Sequence, residues 1–184
     1  IRNHHDGRHA NICRWGLVPS WSNTIKIGQK MFNARSETVF EKRSFSQAAR
    51  YQRCVIPASG FYEWRDTPIG KMPTLFTPTT APIFSFAGLW SSWSDPAGNL
   101  IYTATILTTS ANPIMQPFHH RMPVLLDSVG INRWLSLSIS DPASLKPLFQ
   151  SAPCENLSLR AVSKRINSIR NDDPQCWDTA NTAQ

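Results

Sequence analysis

Residues 82–109, PIFSFAGLWSSWSDPAGNLIYTATILTT, contain two apolar stretches on either side of the turn sequence SDPAGN. Short runs of β-branched and aromatic residues that meet at an Asp-Pro or Gly-Asn turn are typical of paired strands. These residues therefore predict two strands that lie side by side. Further along the chain, MPVLL at residues 122–126 predicts one more buried strand.

Other segments add strands on both sides of this pair. The sequence RCVIPASGFYEW at residues 53–64 predicts two short strands with a break at Pro57 to Gly60. In residues 1–12, the Asp-Gly pair predicts a loop or the turn of a hairpin that leads into a strand at CRWGLVPSW. The tail LRAVSKRINSI, residues 159–169, predicts a final strand or an irregular segment.

Helical patterns are few and short. Apolar and small residues at helical spacing predict a helix over about residues 37–51, and DSVGINRWLSL predicts another at residues 127–137. A short helix is expected at DPASLKPLF, capped by Asp141 or Ser140 with Pro142 at its first position. We therefore expect one α+β domain built on a mixed or antiparallel sheet.

The composition limits the class of protein. The 184 residues and 41% hydrophobic content fit one folded domain, and no apolar run approaches the roughly 18 residues that span a bilayer. The net charge is +7, and residues 26–65 alone carry eight basic and three acidic side chains. A second basic cluster comprises Arg160, Lys164, Arg165 and Arg170. Two basic zones favour an anionic partner such as nucleic acid, with a merely solvated surface as the alternative.

The cysteines indicate neither a metal site nor a disulfide framework. They lie at positions 13, 54, 154 and 176, without CxxC pairs or the histidine spacing of a zinc site. We expect reduced intracellular thiols, no metal and no cofactor.

Three segments place a polar group beside apolar neighbours: FNARSE with Asn33 and Arg35, GFYEW with Glu63, and FHHRMPVLL with His119 and Arg121. A Glu and a His together can act as general acid and base, an Asn can orient a reacting group, and an Arg can clamp a phosphate. Each also has a structural interpretation, as a strand-end carboxylate, a helix start or a surface imidazole. Nucleotide-loop, zincin and serine-hydrolase motifs are absent from the sequence.

Four ordered motifs, RWGLVPSW, FNARSET, RCVIPASGFYEW and HHRMPVLL, closely resemble the SOS-response-associated peptidase (SRAP) family. The resemblance runs from about Ile12 to Asn171. It implies a mixed, mainly antiparallel sheet or barrel-like core with a few flanking helices. Members of this family shield abasic sites in single-stranded DNA.

The resemblance also implies a mechanism. Family members begin with Met-Cys, remove the Met autocatalytically, and use the freed cysteine to form a thiazolidine crosslink with the abasic aldehyde by lyase-like Schiff-base chemistry. By this resemblance, Asn33 positions the cysteine and the sugar, Glu63 moves protons, and His119 acts on the sugar. The DNA-binding residues would be Arg35 and Arg121 on phosphates, Trp21 and Trp64 on bases, and Thr108 lining the pocket. Trp15, Trp90 and Trp93 are expected in the core.

The expected partner is therefore single-stranded DNA with abasic sites, bound by a monomeric cytoplasmic or nuclear protein without a membrane segment. Two departures from the family pattern stand out. The chain has His119-His120-Arg121 where His-Asp-Arg is usual, so His120 is a rival for the catalytic role, and the sequence lacks the Met-Cys segment. Cys13 has no free α-amine and cannot replace it. The alternatives are a non-catalytic single-stranded DNA-binding module and, less favoured, a cysteine protease that acts on other proteins.

Overall fold

A computed structural model of the chain describes residues 1–68 and 70–180. Its contacts divide the chain into two compact units. Unit 1 comprises Ile1–Pro57, Ser85–Ser110 and Pro123–Ser151, and unit 2 comprises the described parts of Ala58–Phe84, Ala111–Met122 and Ala152–Gln184. The expectation that the whole chain is a single domain stays a prediction.

Strands dominate the described residues, and helices are short. In chain order the strands are β1 (Arg2–His4), β2 (Gly7–His9), β3 (Arg14–Trp15), β4 (Asn33–Arg35), β5 (Arg53–Ala58), β6 (Phe61–Thr67), β7 (Gly70–Pro78), β8 (Phe84–Ser94), β9 (Leu100–Ser110), β10 (Arg121–Pro123) and β11 (Leu157–Ala161). The α-helices are α1 (Ser46–Tyr51), α2 (Ser128–Leu135) and α3 (Pro142–Leu145), and 3-10 helices lie at Ile25–Lys30, Lys146–Phe149, Cys154–Asn156, Lys164–Asn167 and Pro174–Trp177. The α+β class with several sheets is confirmed.

The predicted pair of strands is the centre of unit 1. β8 and β9 are antiparallel, and Asp95 closes the turn between them by accepting hydrogen bonds from the backbone N–H groups of Ala97 and Asn99. The sheet has the order β10–β9–β8–β5. β3 and β4 pair with β9 in parallel. Because both faces of β8 and β9 contain buried residues, their sequences lack clean polar alternation.

The core of unit 1 lies against this sheet. It contains fully buried side chains from β8, β9 and α2, such as Leu89, Leu107 and Trp134, together with Leu17 and Val39 from segments outside strands and helices. α2 begins after Asp127, whose side chain accepts from the N–H of Gly130, and α3 begins after Asp141 with Pro142 in its first turn. Both predicted helices are confirmed, and Asp141 is the cap of the second.

Unit 2 contains a separate three-stranded sheet with the order β11–β7–β6. Both neighbours of β7 are antiparallel to it, with Phe61 opposite Phe76 and Leu157 opposite Pro78. The break between β5 and β6 falls at Ser59 and Gly60, as the sequence indicated. A Cβ atom on Gly60 would lie 2.7 Å from the carbonyl oxygen of Phe76, so only glycine permits β6 to start this close to β7.

Two sequence expectations are wrong in extent. The helix predicted over residues 37–51 is reduced to α1, and residues 37–45 form turns. From these turns Val39 is fully buried and Phe40 packs against the core. The strand expected at CRWGLVPSW is only β3, because the chain turns at Gly16, where φ is +108° and the backbone approaches Gly28 closely.

Arg53, which the sequence places in a basic zone, is a core residue with 6% of its surface exposed. Its guanidinium donates to the carbonyl oxygens of Trp134 at 2.6 Å, Ala49 at 3.2 Å and Ile139 at 2.6 Å, and also to those of Arg50 and Ser136. Burial lowers the pKa of this guanidinium. Arg53 therefore satisfies carbonyls at the ends of α1 and α2 and contributes no charge to a binding surface.

No helix in residues 1–68 and 70–180 is long and apolar enough to cross a membrane.

At the start of the chain, β1 and β2 form the predicted hairpin. His5 and Asp6 form its turn, and Gly7 has a φ of +131°.

Candidate functional site

The β6–β7 hairpin of unit 2 positions Glu63 and Trp64. Glu63 lies opposite Thr74, and Trp64 lies opposite Pro73. Both side chains are half-buried and line a cleft of about 410 Å³, together with Lys71, Phe118, His119 and Asn167. The cleft thus combines two residues predicted to be catalytic, Glu63 and His119, with one predicted to stack on bases.

Glu63 has an unusual electrostatic environment for a carboxylate. Burial raises its pKa, because desolvation disfavours the charged form, and the positive charge of protonated His119 opposes this rise. The raised pKa increases the protonated fraction of this carboxyl at a given pH, and a carboxyl can act as an acid when protonated and as a base when ionised. The cleft therefore holds an acid and an imidazole that influence each other electrostatically.

His119 is oriented by its own chain. Its backbone N–H donates to the carbonyl of Met115 at 3.0 Å, and its ring lies 4.4 Å from that of His120 between centroids. Nδ1 lies 3.1 Å from both the N–H and the carbonyl oxygen of Arg121. An unprotonated Nδ1 accepts from the N–H, and a protonated Nδ1 donates to the carbonyl. The ring is held in either state, and Nε2 has no hydrogen-bond partner among the residues that the structure describes.

A series of aromatic contacts fixes the segment that carries His119. Phe61 stacks on Phe76 with 5.1 Å between centroids, and Phe118 meets Phe76 edge-on at 5.1 Å. Phe61 also contacts Phe84. Because Phe118 immediately precedes His119 and Phe61 lies two residues before Glu63, these rings couple the positions of the acid and the imidazole.

Two residues of the cleft were missed by the sequence analysis. The indole N–H of Trp64 donates to Oδ1 of Asn167 at 2.7 Å. Nζ of Lys71 lies 4.0 Å from Asp66 on the opposite strand, and both side chains are largely exposed, so this ion pair is weak. Lys71 could have been found only if β7 had been predicted, and Pro73 and Pro78 conceal that strand in the sequence.

Asn33 and Arg35 lie in unit 1, on β4. Both are exposed on either side of buried Ala34, and they pair in register with Ile106 and Thr108 of β9. Thr108 itself is buried, and its hydroxyl lies 3.5 Å from the carbonyl oxygen of Ala34. The structure thus brings these three predicted residues together on adjacent strands, with Asn33 and Arg35 presented to solvent. Their roles stay predictions.

The tryptophans are distributed differently from the expectation. Trp93 is buried and donates to the carbonyl of Ser22, as expected of a core residue. Trp15 is 62% exposed, so its assignment to the core is wrong. Its strand ends after two residues, and the buried side chains of this segment are those of Leu17 and Val18. The Trp15 indole donates to the carbonyl of Phe32 and meets its exposed ring edge-on at 6.0 Å.

Trp21 and Trp90 each have an arginine guanidinium beside their ring. Trp21 is 45% exposed, and the guanidinium of Arg43 lies 4.7 Å from the centre of its ring. Trp90, expected in the core, is half-buried with the guanidinium of Arg2 4.1 Å from its ring. Arg121 is half-buried at the start of β10, two residues after His119.

Within the described residues, no group of three or more His, Cys, Asp or Glu side chains is arranged to hold a metal ion.

Comparisons with known proteins identify the family of the chain. A family model described as "SOS response associated peptidase (SRAP)" matches residues 1–169. The chain is 42% identical over 163 residues to the abasic site processing protein YoqW of Bacillus subtilis, covering 88% of this chain and 73% of that protein. It is 34% identical to the abasic site processing protein HMCES of Gallus gallus, covering 89% of this chain and 55% of that protein.

Solved structures show the same fold. A crystal structure of a protein from Bacteroides thetaiotaomicron matches with a TM-score of 0.84 and 31% identity, covering 91% of this chain and 75% of that chain. One from Bordetella bronchiseptica matches with a TM-score of 0.77 and 29% identity, covering 88% and 81%. From its sequence match over most of its length, this chain belongs to the SOS response associated peptidase (SRAP) family.

Proposed function

We propose that this protein processes abasic sites in single-stranded DNA, and that it does so through a covalent bond to the abasic sugar. The observation that carries the proposal is the cleft of unit 2, where a half-buried carboxyl with a raised pKa lies near an oriented imidazole. The relatives named abasic site processing proteins support the choice of substrate.

The proposed nucleophile is an N-terminal cysteine that precedes the residues of this sequence. Its α-amine attacks C1′ of the open abasic sugar, the carbinolamine loses one water to give an imine, and the thiol adds to the imine carbon. The product is a thiazolidine, formed with net loss of one water and no oxidant or reductant. Only a residue with a free α-amine next to its thiol can close this ring.

None of the four cysteines in the sequence meets these requirements. Each lies within the chain and has its nitrogen in a peptide bond. Burial raises the pKa of Cys13, and it raises that of Cys54 to about 12, so both thiols are also poor nucleophiles at neutral pH. A protease mechanism based on these two cysteines is therefore disfavoured.

Glu63 and His119 supply the proton transfers in this proposal. Glu63 in its protonated form donates to the oxygen that leaves as water, and its carboxylate then accepts a proton from the attacking thiol. The same carboxylate assists the attack of water that removes the initiator Met. His119 acts through Nε2 on the ring oxygen of the sugar, so that the closed sugar opens to its aldehyde form. Asn33 orients the cysteine and the sugar.

The DNA is held by charge and by stacking. Arg35, Arg121 and Lys71 are proposed to contact phosphates. Aromatic rings bind unstacked bases without selecting a sequence, which suits Trp64, Trp21 and the exposed Trp15. Thr108, which pairs with Arg35 in the register of β4 and β9, is proposed to contribute to DNA binding.

The test is a denaturing gel of the complete gene product with single-stranded DNA that contains one abasic site. A covalent band is expected from the complete protein and not from a chain that begins at Ile1. Glu63→Gln, which keeps the shape of the side chain, should slow crosslinking by about 100-fold, the effect of a lost general acid or base. If the complete protein binds the DNA tightly but gives no covalent band, the result would favour the alternative, a non-catalytic single-stranded DNA-binding module.

A further inference from the structure

Asn167 holds the indole of Trp64 at one wall of the cleft. The Trp64 N–H donates to Oδ1 of Asn167 at 2.7 Å, and both residues line the cleft with Glu63 and His119. Since an indole N–H can only donate, the acceptor must be the amide oxygen of Asn167. The proposed function gives this residue no role.

The element that carries Asn167 is fixed independently of Trp64. The 3-10 helix Lys164–Asn167 begins at Ser163, whose hydroxyl accepts from the N–H of Arg165 at 3.2 Å. The guanidinium of Arg165 pairs with both carboxylate oxygens of Asp173, with Nε 3.1 Å from Oδ1 and Nη2 2.6 Å from Oδ2. Asn171 adds a hydrogen bond of 2.7 Å to the Arg165 carbonyl. Asn167 therefore offers its acceptor from a pre-arranged position.

We propose that Asn167 is a positioning residue that fixes the Trp64 ring in the orientation in which an unstacked base next to the abasic nucleotide stacks on it. The inference rests on the proposed function, because it requires single-stranded DNA in the cleft. A tryptophan side chain that is already fixed loses less conformational freedom when a base binds, so its stacking contributes more fully to affinity.

A purely structural role would have a different outcome. If the hydrogen bond only joined the 3-10 helix to β6, its loss would lower thermal stability and leave base stacking in the complex unchanged. The two roles are separated by a probe that reports stacking directly. 2-Aminopurine serves this purpose, because its fluorescence is quenched when it stacks on an aromatic ring.

The experiment uses single-stranded DNA with 2-aminopurine beside a tetrahydrofuran abasic analogue, which cannot form a covalent bond. Asn167→Leu is similar in size but lacks the acceptor. It should weaken binding by about 3- to 10-fold, as expected for one lost hydrogen bond, and should reduce quenching at saturating protein. Asn167→Asp keeps the acceptor, so it should retain the quenching and lose affinity only at low salt, through repulsion between its carboxylate and the phosphates.

A double-mutant cycle with Trp64→Phe provides the control, because phenylalanine has no N–H for Asn167 to accept. In that background Asn167→Leu should change neither affinity nor quenching. The inference is overturned if Asn167→Leu quenches and binds like the unchanged protein, or if its effect persists with Trp64→Phe. Should Asn167→Leu lose thermal stability, Asn167→Ser is measured in the same cycle. If the unchanged protein does not bind the DNA, both the proposed function and this inference fail.

Discussion

Replacing Arg53 tests whether a cation inside unit 1 supports the fold. Its guanidinium serves five backbone carbonyl oxygens, those of Ala49, Arg50, Trp134, Ser136 and Ile139. Arg53→Met keeps much of the apolar stem but leaves these acceptors without their donor. At about 1 kcal/mol for each net hydrogen bond, reduced where a carbonyl has a second partner or gains water, the expected loss of stability is about 3 to 5 kcal/mol.

The assay is urea unfolding followed by circular dichroism. With an m-value of about 2 to 3 kcal/mol/M, the midpoint should fall by about 1 to 2 M. Arg53→Lys should be nearly as destabilising, because one ammonium cannot reach five carbonyls. Arg50→Met is the matched control. Its guanidinium lies 3.5 Å from the Ser140 carbonyl and 5.8 Å from the centre of the Phe40 ring, and the expected loss is below about 1 kcal/mol. Equal midpoints for the Arg53 and Arg50 variants would refute the buried role.

Three further predictions concern the cleft and the DNA. Because burial raises the pKa of Glu63, the folded state favours its protonated form, and Glu63→Gln should stabilise the protein at neutral pH. This gain should disappear below about pH 4, where the carboxyl is protonated in both folded and unfolded states, and urea unfolding at both pH values measures it. The salt dependence of single-stranded DNA binding, measured as the slope of log affinity against log salt concentration, should fall by about 0.7 in each of the variants Arg35→Ala, Arg121→Ala and Lys71→Ala. The control Lys146→Ala should leave this slope unchanged. Unchanged slopes in the first three variants would reject the phosphate contacts. Trp15→Ala should weaken binding to single strands by about 5-fold or more and binding to duplex much less, and equal losses on both would reject base stacking.

Much of the fold could be predicted because its signals are local. The β8–β9 hairpin has a turn whose Asp95 side chain makes the hydrogen bonds that close it, and α2 and α3 each begin at an aspartate that caps them. Where tertiary packing decides, the sequence was a weaker guide. Residues 37–45 have the composition of a helix, but they form turns, and Val39 and Phe40 pack into the core from these turns.

In the site, too, residues in local motifs could be predicted, and residues placed by tertiary contacts could not. Short motifs pointed to Glu63 and His119, and these residues do line one cleft. Asn167 carries no signal in its own neighbourhood, because its contact with Trp64 joins residues 103 positions apart. Charge alone was misleading for Arg53, since a basic residue in a sequence does not reveal whether its guanidinium meets solvent or the carbonyl ends of helices.

The most direct test of the proposed function is the mass of the covalent product. The complete gene product is incubated with a short abasic single strand, treated with borohydride and analysed by intact mass spectrometry. The expected product is the protein without its initiator Met, joined to the DNA with loss of one water, at a mass that borohydride does not change. A product that gains two hydrogens on reduction would show an imine in place of the thiazolidine ring. A crosslink that retains the Met, or that maps to Cys13, would contradict the N-terminal cysteine as the nucleophile.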